Sequence, residues 1–432
     1  MRATHGWSEV SNERKREIID AIVSGRATAG PVHAELDLTD RCNVACYFCC
    51  SMDVRTKESV PLPQATRIID QLVTGGLKSV RLAGGGDPLV HREIVAILDH
   101  LAACNILVDN VTTNGLGMTA AVAERFVRNH AREIVISLNA VDAPDYARMM
   151  QVRGDIFDKV LANVRHLVAI RGEGMRPSLT IQFLLDRKNV TRVVEMYELG
   201  RSLGADRVAI NAVLEIPHER IDRDILLTRD DVEIARPHFR ELLERDRDAG
   251  LLLMDARGEG WDEMVAQHRR DLGIAPPNDI PVAPSYRAEN GQCFFSWYTT
   301  TVSGTGDMYP CCLLQAADYK PLGNLMRGSL EEEWNGPGYT QIREEMRDVM
   351  LTGGEIRFRE SKFKTLRRPC VEKNQCWLKV MYFCADEQFY RELDDALRIA
   401  RKREVRWGRL AFEVLAYRAY DVARKVVRKL RG

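Results

Sequence analysis

Ala34-Glu35-Leu36-Asp37-Leu38-Thr39, followed two residues on by Cys42-Asn43-Val44-Ala45-Cys46-Tyr47-Phe48-Cys49, decides how the rest of this sequence is read. The first stretch alternates apolar and polar residues, as a half-buried strand does. The second places three thiols at C-x3-C-x2-C on one short loop. Three thiolates can hold three irons of an iron–sulfur cubane and leave the fourth iron without a protein ligand. A small chelating molecule could bind at that open iron. A zinc loop or buried structural thiols would use the same residue types.

Outward from this point the chain alternates short apolar strands with amphipathic helices. Strands are expected near 34–39, 78–83, 107–112, 133–138, 178–185 and 206–212, and helices near 62–74, 90–103, 118–129, 156–171 and 190–203. The repeated βα rhythm implies a parallel sheet of six strands, either open or curled into part of a barrel. Ahead of it, 8–24 reads as a helix capped by Ser8 or Ser11, with 25–31 as a linker. Beyond it, 229–272 reads as charged helix and 273–284 as a proline-rich linker. A β-hairpin is expected over 294–314, turning at Ser303-Gly304-Thr305-Gly306-Asp307. Helices are expected again at 329–335 and 338–350, and 386–430 reads as helical. The implied divisions are 1–32, 33–228, 229–290, 291–385 and 386–432.

The chain has 432 residues, too many for one compact core. Its formal net charge is zero, which argues against a nucleic-acid partner. No signal peptide or membrane-spanning run is recognisable, so a cytoplasmic location is expected. Eleven cysteines, an odd number without an export signal, point to metal or cluster ligation rather than disulfides. They fall in two groups, 42–50 and 293–384, with Cys104 between.

Further motifs follow the strands. Val80-Arg81-Leu82-Ala83 runs into Gly84-Gly85-Gly86-Asp87-Pro88, a turn whose backbone can approach a ligand closely. Thr112-Thr113-Asn114-Gly115 closes the third strand and Ser137-Leu138-Asn139 the fourth; period two would point Ser137 and Asn139 the same way. Gln182 and Asn211 could face a barrel interior or serve as structural hydrogen-bonding groups. Arg187 could meet a carboxylate.

With these residues in place, the sequence resembles the radical SAM superfamily. The resemblance implies a partial (β/α)6 barrel with its cofactor at the C-terminal strand ends. It implies a [4Fe–4S] cluster on Cys42, Cys46 and Cys49, with S-adenosylmethionine chelating the open iron and giving a 5′-deoxyadenosyl radical. It also implies that Phe48 lies near the adenine. Gly84, Gly85, Gly86 and Asp87 would bind the methionine amino group, Asp87 standing where glutamate is commoner. Asn114, Ser137 and Asn139 would touch the rest of the cofactor.

The C-terminal thiols, Cys293-x12-Gly306-x4-Cys311, then Cys370-x5-Cys376 and Cys384, flank Leu322-Gly323-Asn324-Leu325. They resemble the SPASM/twitch extension, a small cysteine-rich domain of a β-hairpin plus helices. The fuller pattern has a further Cys-x2-Cys that is absent here. The implied auxiliary [4Fe–4S] cluster would use Cys293, Cys311, Cys370 and Cys376. Cys384 could replace one of the last two, and Cys312 could replace Cys311. Zinc could occupy the same thiolates. Cys50, Cys104, Cys312 and Cys384 are then spare: buried small residues by default, or donors of a hydrogen atom to a substrate radical.

The segment 401–432 has eleven Lys/Arg against three Asp/Glu on a helical apolar repeat. Packing with a solvated basic face is expected; contact with a membrane surface or acidic partner is the alternative. The resemblance implies an oxidoreductase or epimerase acting on a small polar substrate such as a sugar or aminocyclitol. Modification of a peptide is the alternative. An electron donor such as flavodoxin or ferredoxin would be required. The competing class is a zinc-stabilised scaffold without redox chemistry.

Overall fold

The computed structural model describes residues 7–27, 29–49, 51–52, 55–172, 176–212, 223–245, 251–253, 293–316, 320–352, 386 and 388–402. The barrel half contains β1 (His33–Leu36), α2 (Leu62–Thr74), β2 (Ser79–Leu82), α3 (Ile94–Ala103) and β3 (Leu107–Thr113). It continues through α4 (Ala120–Arg128), β4 (Glu133–Ser137), α5 (Ala143–Met150), α6 (Asp155–Arg171), β5 (Ser178–Leu185), α7 (Val193–Ser202) and β6 (Arg207–Ala212). Helix α1 (Asn12–Ser24) precedes it; α8 (Arg229–Arg245) and β7 (Leu251–Leu253) follow. The C-terminal half supplies α9 (Phe295–Tyr298), β8 (Thr299–Val302), β9 (Asp307–Tyr309), α10 (Cys312–Ala316), β10 (Gly323–Asn324), α11 (Leu330–Trp334) and α12 (Pro337–Thr352).

All ten strands form one sheet in the order β10-β9-β8-β1-β2-β3-β4-β5-β6-β7. Strands β8 and β1 to β7 run parallel to one another, β9 is antiparallel to β8, and the βα connections make β1 to β6 the (β/α)6 partial barrel. The hairpin expected in the C-terminal half is present, and its first strand pairs directly with β1, Ala34 opposite Thr300. The strand that leads into the Cys42 loop and the hairpin flanked by Cys293 and Cys311 therefore share one sheet.

The two faces of that sheet differ. Leu36, Leu82, Val111, Ile134 and Leu179 are register partners and make a buried apolar row against the helices. Each such side chain contributes about 1.5–3 kcal/mol of burial. The alternate row is polar. Arg81 Nη1 reaches Glu35 Oε2 at 3.2 Å, and its Nε and Nη2 donate to Asn110 Oδ1 and Thr112 Oγ1. Asn110 Nδ2 donates to Glu133 Oε2 at 3.1 Å, and Arg207 bonds Glu133 and Thr180. Parallel strands covered on both faces by apolar layers read as unbroken apolar runs. This alternation marks a polar barrel interior.

The two halves are joined by specific contacts. The indole N–H groups of Trp297 and Trp334 donate to the carbonyls of Arg26 and Ala29, fixing the stretch that precedes β1. Arg67 on α2 donates to the carbonyls of Leu325 and Met326. Helix α1 starts where Ser11 accepts from the Arg14 N–H and stops at Gly25, whose φ of 71° is left-handed. Asp386 accepts from Trp7 Nε1 at 2.8 Å and pairs with Lys15 at 2.6 Å, docking the helical residues 388–402 on the N-terminal segment.

Two local expectations change. Residues 251–253, expected in a helix, form strand β7 on the sheet edge, because three consecutive leucines there pair with Val208–Ile210. Helix α5 was not anticipated; Asp142 caps it and Pro144 fits its first turn, although Asp-Ala-Pro reads as a turn in isolation.

Candidate functional site

The loop carrying Cys42, Cys46 and Cys49 leaves the C-terminal end of β1 and is clamped on several sides. The Asp40 N–H donates to the Glu58 carbonyl, and the Ala45 N–H to the Met150 carbonyl. Gly86 and Asp87 donate their N–H groups to Thr39 and Arg41. The glycines serve this clamp. A Cβ on Gly84, where φ is 138°, would lie 2.2 Å from Asp37 Cγ. One on Gly86 would lie 2.0 Å from the Arg41 carbonyl oxygen. The close approach read from the glycine run is thus made by the cysteine loop itself.

Asp87 is 3% exposed, and both its oxygens are engaged. They accept from the Thr113 hydroxyl and from the N–H groups of Leu89 and Asn114. Burial raises its pKa while those bonds oppose the shift. Asn114 in turn donates to Asn43 Oδ1 at 2.7 Å and approaches Cys42 Sγ at 3.8 Å. Asp87 and Asn114 therefore brace the ends of β2 and β3 against the cysteine loop. Gly115, at φ 79°, makes the turn that follows.

Burial pushes the thiols of Cys42 and Cys46 up, the neighbouring sulfur charges add to this, and Arg55 opposes it. Arg55 Nη2 lies 2.9 Å from Cys49 Sγ, while its Nε donates to the Gly85 carbonyl. Cys46 Sγ is 3.5 Å from Met150 Sδ. The three sulfurs share one electrostatic environment on one loop, and a metal would displace their protons.

Among the described residues, several polar groups near the strand ends have no hydrogen-bond partner. Tyr146 Oη, Asn139 Oδ1 and Asn211 Oδ1 are buried without a hydrogen bond to any described residue. Tyr146 feels the charges of Cys42, Cys46 and Asp87, so it faces the loop. Buried polar groups are rarely orphaned unless a ligand completes them. Soft thiolates beside unsatisfied polar groups fit an iron–sulfur cluster with a polar organic ligand.

Sequence reasoning placed Ser137 and Asn139 on one face. Strand β4 ends at Ser137, and Asn139 has φ 63°, so the period-two relation is broken there. Its Nδ2 turns back to the Ser137 carbonyl at 3.5 Å. Phe48 packs edge-on against Tyr47 and, like Leu184, against Ile225. Arg187 pairs with Asp231 of α8 at 3.0 Å.

A charged web beside the loop was not foreseen. Tyr47 Oη donates to Asp186, which is fully buried. Arg148 Nη1 bonds Tyr47 Oη at 2.9 Å and Asp186 Oδ2 at 2.7 Å, and its Nη2 bonds Asp145. Only the aromatic preceding Phe48 and the acidic end of β5 could have signalled it.

Among the spare thiols, Cys312 opens α10 within electrostatic reach of Glu35, Arg81 and Asp37, the polar row of the barrel. Cys104 caps the C-terminal end of α3, beside His100 of the same helix and Asp70 of the neighbouring α2. Cys293 and Cys311 pack half-buried against the same core. Cys50, Cys370, Cys376 and Cys384 lie outside the described residues, as does 403–432. No helix among the described residues is long and apolar enough to cross a membrane.

Comparison with known proteins bears on this site. The model described as "Radical SAM superfamily" matches residues 36–212, and that described as "Iron-sulfur cluster-binding domain" matches 293–376. "PqqA peptide cyclase" of Streptomyces rochei is 26% identical over 313 residues, covering 71% of this chain and 76% of that protein. "Antilisterial bacteriocin subtilosin biosynthesis protein AlbA" of Bacillus subtilis is 24% identical over 310 residues, 71% of this chain and 60% of that one. The crystal structure of Streptococcus suis SuiB bound to precursor peptide SuiA shares the fold at a TM-score of 0.55 and 16% identity, covering 76% of this chain and 70% of that one.

Proposed function

This chain belongs to the radical SAM superfamily and carries a SPASM domain, with a [4Fe–4S] cluster, S-adenosylmethionine and auxiliary iron–sulfur binding; from that premise we propose that it modifies a peptide. The observation that carries this is its likeness to a peptide cyclase and to a bacteriocin biosynthesis protein, each along 71% of its length. These relatives favour the peptide alternative over the expected sugar or aminocyclitol substrate. The zinc-scaffold alternative falls with the family assignment.

In this proposal Cys42, Cys46 and Cys49 hold the cluster, and Phe48, the backbone of Gly84 to Gly86, Asn139 and Tyr146 surround the bound cofactor. When bound, the cluster and S-adenosylmethionine supply an organic radical able to take a hydrogen atom from an unactivated C–H bond. The protein's own part is placement: Asp87, Asn114 and the clamped loop fix the radical source at the mouth of the barrel. The polar row from Glu35 to Arg207, whose side chains bond one another, holds the barrel wall beneath it. The pairing of β1 with β8 brings the hairpin flanked by Cys293 and Cys311 onto the barrel sheet, and these thiols with Cys370 and Cys376 would hold an auxiliary cluster, which would supply an electron acceptor.

The test is anaerobic incubation of reduced enzyme and S-adenosylmethionine with short peptides encoded beside its gene, read by mass spectrometry. A product lighter by two hydrogens, dependent on S-adenosylmethionine, supports a peptide cross-link. Turnover of aminocyclitols with no change in any peptide overturns it.

Arg55 yields a separate expectation. A guanidinium donating to a cluster sulfur raises the reduction potential, because it favours the more negative, reduced state. Arg55→Ala is expected to move the N-terminal cluster to a more negative potential in an EPR-monitored titration. Arg55→Lys should retain part of the shift.

A further inference from the structure

In the helical layer that covers the sheet, Asp70 of α2 meets His100 and Cys104 of α3. His100 and Cys104 are four residues apart, on one face of the helix. Cys104 caps that helix through its N–H to the His100 carbonyl at 3.0 Å, which holds the thiol beside the imidazole. The three donor atoms close a triangle: His100 Nε2 to Asp70 Oδ1 is 2.8 Å, His100 Nε2 to Cys104 Sγ is 3.7 Å, and Cys104 Sγ to Asp70 Oδ1 is 3.9 Å. All three lie within 4.8 Å of one another.

A tetrahedral zinc ion with ordinary bond lengths needs donor separations of about 3.3–3.6 Å. Two edges of the triangle exceed that slightly, and the third is a hydrogen bond that must widen. The Asp70 side chain is 59% exposed, so its carboxylate can swing outward by the required amount. The fourth position opens to solvent. Thiolate with imidazole selects a borderline-soft ion such as zinc and disfavours magnesium or calcium, which take oxygen donors.

We propose that Asp70, His100 and Cys104 form a surface zinc site that clips α2 to α3. On binding, the imidazole proton resides on Nδ1, the Cys104 thiol proton leaves to solvent, and the two anionic ligands neutralise the metal. The site has three protein ligands and one water, and it joins α2, the helix on which Leu325 and Met326 of the SPASM half are anchored, to its neighbour.

The experiment uses cluster-loaded enzyme, because empty cluster cysteines would themselves take zinc. Alkylation of Cys104 by iodoacetamide is followed by peptide mass spectrometry, with and without micromolar Zn2+. Zinc is expected to slow the reaction by about tenfold or more, since a metal-bound thiolate is withdrawn from attack, whereas Mg2+ leaves it unchanged. His100→Ala should remove the protection, and Cys104→Ser should lower bound zinc by one equivalent per chain with the iron content unchanged. An alkylation rate indifferent to zinc, protection that persists in His100→Ala, or an unchanged zinc count in Cys104→Ser would overturn the assignment. None of these readouts depends on the peptide substrate.

Discussion

Gly86→Ala is expected to strip most of the N-terminal cluster from the protein. The added methyl carbon would sit 2.0 Å from the Arg41 carbonyl oxygen and 2.6 Å from the Arg41 and Asp40 carbonyl carbons. These are backbone atoms, so neither side can give way by a rotamer change. The loop must separate from the end of β2, breaking the bonds from the Gly86 and Asp87 N–H groups to Thr39 and Arg41. Overpacking of this kind costs about 1–3 kcal/mol, concentrated on the segment that carries the three thiols. Iron per chain and 5′-deoxyadenosine formation should fall together. Gly76→Ala is the control: its φ of 102° is strained for alanine, but no described residue comes within 4 Å of the added carbon. It should lower stability by roughly 1–2 kcal/mol and spare the cluster.

Asp186→Ala should produce the largest loss of stability in the barrel half. Asp186 Oδ1 accepts from the N–H groups of Lys188 and Asn189, and Oδ2 from Arg148 and Tyr47. Its removal orphans those donors and leaves Arg148, 28% exposed, with less compensation. Breaking such a pair typically costs about 3–5 kcal/mol. The double variant Asp186→Ala/Arg148→Met should recover part of it, because the uncompensated charge is gone. Denaturant midpoints for the parent, the single variant and the double variant measure both effects.

Much of the barrel was legible because its signals are local and periodic. The six strands expected from β1 to β6 and the five helices between them form within a few residues of their expected positions. Helix starts at Ser11 and Thr119 carry their own capping side chains. What stayed hidden depends on contacts between distant segments. Nothing in 294–314 says that its first strand will pair with β1 rather than form a separate sheet. The glycine run announced a close approach, but whether the approaching group is ligand or chain is decided by the position of Asp37 and Arg41.

The same division holds at the site. The spacing of Cys42, Cys46 and Cys49 is a one-dimensional signal, and it was read directly. The roles of Asp87 and Asn114 as braces rest on hydrogen bonds spanning 27 and 71 positions respectively. Tyr146 lies on the unanticipated helix α5, with no motif around it. Asn139 looked like a continuation of β4 because alternation carries no information about a left-handed residue.

The most direct measurement is 5′-deoxyadenosine released by anaerobically reconstituted, dithionite-reduced protein supplied with S-adenosylmethionine, compared between the parent and Cys42→Ala/Cys46→Ala/Cys49→Ala. The three-thiol assignment predicts steady release by the parent and none above the enzyme-free background from the triple variant, with the C-terminal iron retained. Equal release by the two proteins would contradict it.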